Sequence, residues 1–98
     1  MSRPMVVRLM ARQDVHEIRE FLWDRQVSAA RKFDSRMAAL LRRIESMPFL
    51  YAKVWRAVRA VKVRGFKYVV YFVVRTKAVE VIAVVHGSRQ SSVWKSRV

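Results

Sequence analysis

The sequence predicts an α+β fold: an N-terminal strand, a helical hairpin, then a three-stranded antiparallel meander, joined in one twisted sheet. Three observations carry this expectation. Helix-period apolar residues are confined to the first half of the chain. After Pro48 the period changes to valine-rich runs. The link between the two helical segments is so short that they must form an antiparallel hairpin.

Met5 to Leu9 is short and β-prone and reads as an edge or first strand. Arg12 to Arg25 reads as a helix, with Val15, Ile18 and Leu22 at helical spacing and Asp14 and Glu17 in its first turn, where the helix dipole favours acids. Gln26-Val27 is a brief break, and Ser28 is a candidate N-cap for the second helix. In that helix Ala30, Phe33, Met37, Leu40, Leu41, Ile44 and Met47 form one apolar stripe, opposite Arg31, Lys32, Arg36, Arg42 and Arg43. Pro48 ends it, because proline disfavours the helical conformation in the preceding residue.

Val54 to Val63 reads as one strand, bulged where its alternation slips, and Arg64-Gly65 as a turn. Lys67 to Arg75 is apolar on both faces, which marks a central strand. Tyr68 and Tyr71 have opposite parity there, so at most one of them faces a groove on the sheet. Thr76-Lys77 makes a tight turn into the last strand, Val79 to Val85. The helices should cover one sheet face and leave the other open as a groove. One domain spanning 1–98 is expected, with no linker and no repeat.

The chain has 98 residues and a net charge of +14, from 21 basic and 7 acidic side chains. Six of the acids lie before residue 46; beyond it, Glu80 stands against eleven Lys and Arg. Such a second half should carry a strong positive potential and attract nucleic acid, the ribosome or an acidic protein. The absence of cysteine excludes disulfides and thiolate metal sites. The two histidines lie far apart and only one acid comes late, so neither a metal nor a cofactor is expected. Arg8 interrupts the apolar Met5-Val6-Val7 at once, so no signal peptide is expected, no membrane span is expected, and a cytoplasmic protein is anticipated.

Chemistry-bearing residues concentrate toward the C-terminus. His86 is the late side chain whose ordinary pKa lies near neutrality. Strand parity sets Glu80 on its face, but six residues of strand separate them by roughly 20 Å, so no Glu-His dyad forms within a regular strand. His86 acts among arginines, or it is a hydrogen-bonded histidine closing the strand end. Arg59, Arg64, Arg89 and Arg97, with Lys62 and Lys67, are candidates to surround a phosphate, since guanidinium forks match its oxygens; the alternative is a solvated charged face. Trp55 and Trp94 can stack on bases, but packing of the C-terminal segment onto the sheet by Trp94 is the reading favoured here.

Several motifs together resemble a known family. They are the hairpin ending at Met47-Pro48, then Val58-Arg59, Val63-Arg64-Gly65-Phe66-Lys67-Tyr68-Val69-Val70-Tyr71, and Val79 to Val85 leading into His86-Gly87-Ser88-Arg89 and Trp94-Lys95-Ser96-Arg97. In that order they resemble the RelE/ParE superfamily of toxin–antitoxin modules, which includes plasmid stabilisation proteins. The resemblance implies a compact toxin that arrests growth and is neutralised by an acidic antitoxin, with a heterotetramer as one expected assembly. Some members cleave mRNA on the ribosome without metal, and others inhibit DNA gyrase. The resemblance sets Arg59, Arg64, His86 and Arg89 at the functional groove, as catalytic residues only if this chain is a nuclease; Arg56, Lys62, Lys67, Tyr71, Trp94 and Arg97 are the candidates for binding partner or nucleic acid in either case. No tyrosine follows Tyr71, where the ribosome-dependent nucleases often carry one, and this tilts the expectation toward gyrase. A general basic nucleic-acid binder is the third reading.

Overall fold

A computed structural model describes residues 3–98, in the order β1 (Met5–Val7), α1 (Leu9–Arg25), α2 (Val27–Ser46), a 3-10 turn (Pro48–Leu50), β2 (Lys53–Trp55), β3 (Val58–Lys62), β4 (Tyr68–Val74), β5 (Val79–His86) and α3 (Ser92–Lys95). The five strands form one sheet in the order β1-β5-β4-β3-β2, with the α1–α2 hairpin on one face. The α+β class and its strand–hairpin–meander order are as expected. Among the described residues, no helix is long and apolar enough to cross a membrane.

Several local expectations are corrected. The helix α1 begins at Leu9, not Arg12, and β1 stops at Val7. Leu9, read as strand, opens the helix instead; Leu9 and Met10 are exposed, while Ala11, fully buried, anchors the first turn. Asp14 therefore lies beyond that turn and serves a different purpose, described below. Ser28 is not the cap of α2: Gln26 alone, in an extended conformation, separates the helices, and its N–H closes α1 onto the Leu22 carbonyl at 2.7 Å. Within the α2 stripe Ala30, Phe33, Met37 and Ile44 are buried and Leu40 and Leu41 half-buried, but Met47 has left the helix and is exposed.

The stretch read as one strand over Val54 to Val63 is two. The strands β2 and β3 form a hairpin turning at Arg56, whose φ of 51° is the left-handed conformation that costs any residue but glycine. The meander thus has four strands. The sheet is also mixed, since β1 pairs parallel to β5 at the edge (Val6 opposite Glu80) while the other pairings are antiparallel.

The decisive irregularity lies in β5. Tyr71 faces Ala83 but Phe72 faces Val81, so Ile82 is an extra residue, a β-bulge that reverses side-chain parity along the strand. Val79, Val81 and Val84 pack beneath the helices, whereas Ile82, Ala83 and Val85 pack on the opposite face. The expectation that Glu80 and His86 share a face is thereby overturned; they lie on opposite faces. Glu80 instead holds Arg8 and Arg75.

The opposite face is not an open groove throughout. The short α3 folds back and lays Trp94, 6% exposed, over Val58, Val73, Ile82, Ala83 and Val85. Packing of the C-terminal segment by Trp94 is as expected from the sequence.

Where β1 ends, the outer edge of β5 would be left with unpaired backbone groups. Side chains take over there. The Val84 N–H donates to Asp14 Oδ2 (2.9 Å), and Arg97 Nη1 donates to the Ile82 carbonyl (3.1 Å). Arg97 also forks onto Asp14, at 2.6 Å to Oδ2 and 3.2 Å to Oδ1, with both side chains only 12% exposed. One ion pair thus joins α1, the β5 edge and the C-terminus.

Candidate functional site

The structure distributes the candidate residues over four places. At the C-terminal end of β5, His86 and Arg89 line a shallow cavity of about 380 Å³ against α1, with Asp14, Glu17, Phe21 and Tyr68. His86 points to the helix side because of the bulge. Its ring meets Tyr68 edge-on at 5.8 Å. Its Nδ1 accepts the Ser88 backbone N–H (3.1 Å), with Ser88 Oγ 2.7 Å away. An Nδ1 that accepts a main-chain hydrogen bond puts the proton of the neutral ring on Nε2. The histidine is held as the closing residue of a strand end, and the Nδ1 lone pair a base would use is occupied by the turn.

Arg59 lies on the same side of the sheet but elsewhere. It stands opposite Phe72, while His86 stands opposite Tyr68. Four residues of strand and two interstrand steps separate the two Cα atoms by roughly 16 Å at ordinary spacings. The Arg59 guanidinium donates to the Tyr51 carbonyl (2.7 Å) and sits 5.1 Å from the centroid of the exposed Phe49 ring.

The third place is the sheet face opposite the helices, where α3 folds back. Tyr71 stacks on Trp94 with centroids 4.4 Å apart and planes 14° from parallel, and Trp55 meets Trp94 edge-on at 6.2 Å. Two cations lie over Trp55: Arg56 at 4.4 Å and Lys95 at 5.1 Å. This cluster of three aromatic rings and two cations is contiguous, with Trp94 buried and Trp55 and Tyr71 half-buried beside the positive charge. Burial raises the Tyr71 phenol above its ordinary value, and a hydrogen bond from Trp94 partly opposes the shift. A raised folded-state value means that the neutral phenol is favoured by folding, so this contribution to stability is complete below the unfolded pKa of 10 and is lost as pH rises through the folded one. Tyr71 is expected to ionise above the ordinary phenol range in a spectrophotometric titration. Alkaline loss of melting temperature should be shallower in Tyr71→Phe than in the parent; equal slopes would show that Tyr71 contributes nothing to it.

Lys62 and Arg64 stand in a fourth place, a cleft against α2. Lys67 is exposed at the approach to β4, where its carbonyl accepts the Gly87 N–H (2.7 Å). Arg97 is not a free cation, because Asp14 and the Ile82 carbonyl occupy it. The ten candidate residues therefore do not converge. The structure brings together Tyr71, Trp94 and Arg56, and separately His86 with Arg89, and separately Lys62 with Arg64. Reading along the chain missed Lys95, whose ammonium lies over both indoles, and Asp14, whose partners are 70 and 83 residues away. No local spacing carries either signal.

The chain matches the family described as "ParE toxin of type II toxin-antitoxin system, parDE" over residues 6–91. Among solved structures, one described as "Chromosomal ParDE TA system from P. aeruginosa" superposes with a TM-score of 0.75 at 12% sequence identity, covering 86% of this chain and 95% of that one. At that identity the likeness is one of fold. No curated protein matches the chain.

Proposed function

The chain belongs to the ParE toxin family of type II toxin–antitoxin systems, and from that premise we propose that it arrests growth as a binding protein that inhibits DNA gyrase, not as an mRNA endonuclease. The observation that carries this choice is the dispersal of the nuclease candidates. Metal-independent RNA cleavage needs a base, an acid and phosphate-holding cations around one scissile bond, within hydrogen-bond reach. Here the His86 Nδ1 is engaged by Ser88, Arg59 is turned to Tyr51, and Arg97 is paired to Asp14. The contiguous surface is instead the aromatic and cationic face of Trp55, Tyr71, Trp94, Arg56 and Lys95. Half-buried Trp55 and Tyr71, resting on buried Trp94 beside the exposed Arg56, are side chains of the kind that anchor protein interfaces. An acidic antitoxin is the proposed neutralising partner in the cytoplasm, supported by the net charge of +14.

Two assays with the purified protein test the reading. Supercoiling of relaxed plasmid by purified gyrase should fail when the protein is in excess. Translation of a ready-made message in a reconstituted system without gyrase should proceed, with the message intact by primer extension. Unchanged supercoiling together with ribosome-dependent cuts that disappear in Arg59→Ala would replace this reading with that of an mRNA interferase.

A further inference from the structure

Between the C-terminal half of α2 and the end of β3 lies a cleft of about 320 Å³ lined by Arg36, Arg43, Lys62 and Arg64, with Leu40 and Tyr51 in its wall. None of the chain's seven acids lines it. Most of them are engaged elsewhere: Asp14 with Arg97, Glu20 with His16, Asp34 with Arg19, Glu80 with Arg8 and Arg75, and Glu45 with the Met5 N–H. Among the described residues, the ion pairs include none of the four cleft cations.

One of these cations is positioned by the backbone. Arg36 Nη1 donates to the Arg64 carbonyl at 2.6 Å. The guanidinium fills the space that a Cβ on Gly65 would need, and Gly65 sits at a φ of 83°, so the glycine serves both the turn and the arginine. That contact uses one of the five N–H donors of Arg36 and leaves the rest of the fork beside Arg64.

We propose that this cleft grips the phosphodiester backbone of a nucleic acid. Converging guanidinium groups without a counter-charge match the geometry and sign of phosphate oxygens. An acidic peptide fits less well, because a docked peptide needs exposed apolar anchors and the large apolar wall residues, Leu40, Tyr51 and Val61, are half-buried. The proposal is independent of the gyrase reading, since its test is binding to free nucleic acid.

The test is fluorescence anisotropy of a labelled 20-base-pair duplex DNA and a labelled single-stranded RNA across a salt series. The triple variant Arg36→Gln/Arg43→Gln/Arg64→Gln is compared with Arg12→Gln/Arg25→Gln/Lys77→Gln, which removes the same charge elsewhere. Each lost phosphate contact lowers the slope of log affinity against log salt by about 0.9 on duplex DNA and about 0.7 on single strands. The cleft variant should lose about 2.7 units of slope on duplex DNA or about 2.1 on single strands, and roughly 100-fold or more in affinity at ~100 mM salt. The control variant should change affinity less than about threefold. Whichever nucleic acid shows the larger cleft-specific loss is the source of the phosphate. If the triple variant unfolds, Arg43→Gln/Arg64→Gln, which keeps the Arg36 contact, gives the same comparison at about one unit of slope or more. Equal losses in cleft and control variants, or no loss in the cleft variant, overturn the proposal. So does cleft-dependent binding of a labelled decaglutamate that exceeds both nucleic acids at equal ionic strength, which would assign the cleft to an acidic protein.

Discussion

Replacing Asp14 with alanine is expected to destabilise the protein by about 3–5 kcal/mol, because it leaves the Arg97 guanidinium buried without its partner. The Val84 N–H also loses its acceptor at the β5 edge. Arg97→Ala should cost a similar amount, since Asp14 then keeps only that N–H. The double replacement Asp14→Leu/Arg97→Met should recover most of the loss. A buried ion pair contributes little over a well-packed apolar pair, and the large cost comes from orphaning one charge. Urea unfolding of the parent, Asp14→Ala, Arg97→Ala and Asp14→Ala/Arg97→Ala gives the double-mutant cycle. Additive losses in the double variant would show that the two side chains act independently, against the contact described here.

Phe33→Ala should cost about 3–5 kcal/mol, the ordinary loss for a buried aromatic together with the cavity it leaves. Phe33 is fully buried, and Phe66 and Tyr68 meet its ring edge-on at 5.5 and 5.6 Å. It is the point at which α2 locks onto the β3–β4 turn and onto β4. Against a typical total stability of about 5–15 kcal/mol, the variant should be marginally folded at 37 °C. Leu40→Ala lies on the same stripe but is half-buried, so about 1–2 kcal/mol is expected there, from the smaller area returned to water. Comparable melting temperatures for the two variants would contradict this ordering along α2.

The two predictions differ in how far the sequence foretells them. Phe33 stands in a helix-period stripe, and any reading of α2 puts it in the core. Asp14 reads as an ordinary acid near a helix start. Nothing near it in the chain says that β1 stops short of Val84, or that the C-terminus returns to supply Arg97. The same holds for His86. Its strand is legible, but the face it occupies depends on one extra residue at Ile82, and every residue between Glu80 and His86 is apolar and buried. Alternation then carries no information, so a bulge leaves no trace in the pattern. The hairpin at Arg56 is hidden for a related reason, since it lacks the Asn-Gly or Asp-Gly pair that marks a two-residue turn.

The sequence alone determined the class of the fold, the order of helices and meander, the packed stripe of α2 and the charge imbalance between the two halves. Each of these rests on local periodicity or composition, which short-range sterics and burial impose residue by residue. Only the tertiary structure decided which cations stand free and which are paired, which sheet face receives His86, and that Arg36 joins Arg64 across 28 residues of chain. Those outcomes follow from strand register and from contacts between distant segments. Register is set by the sum of packing over the sheet and not by any one residue, so the contacts that arrange the candidate residues were the least readable along the chain.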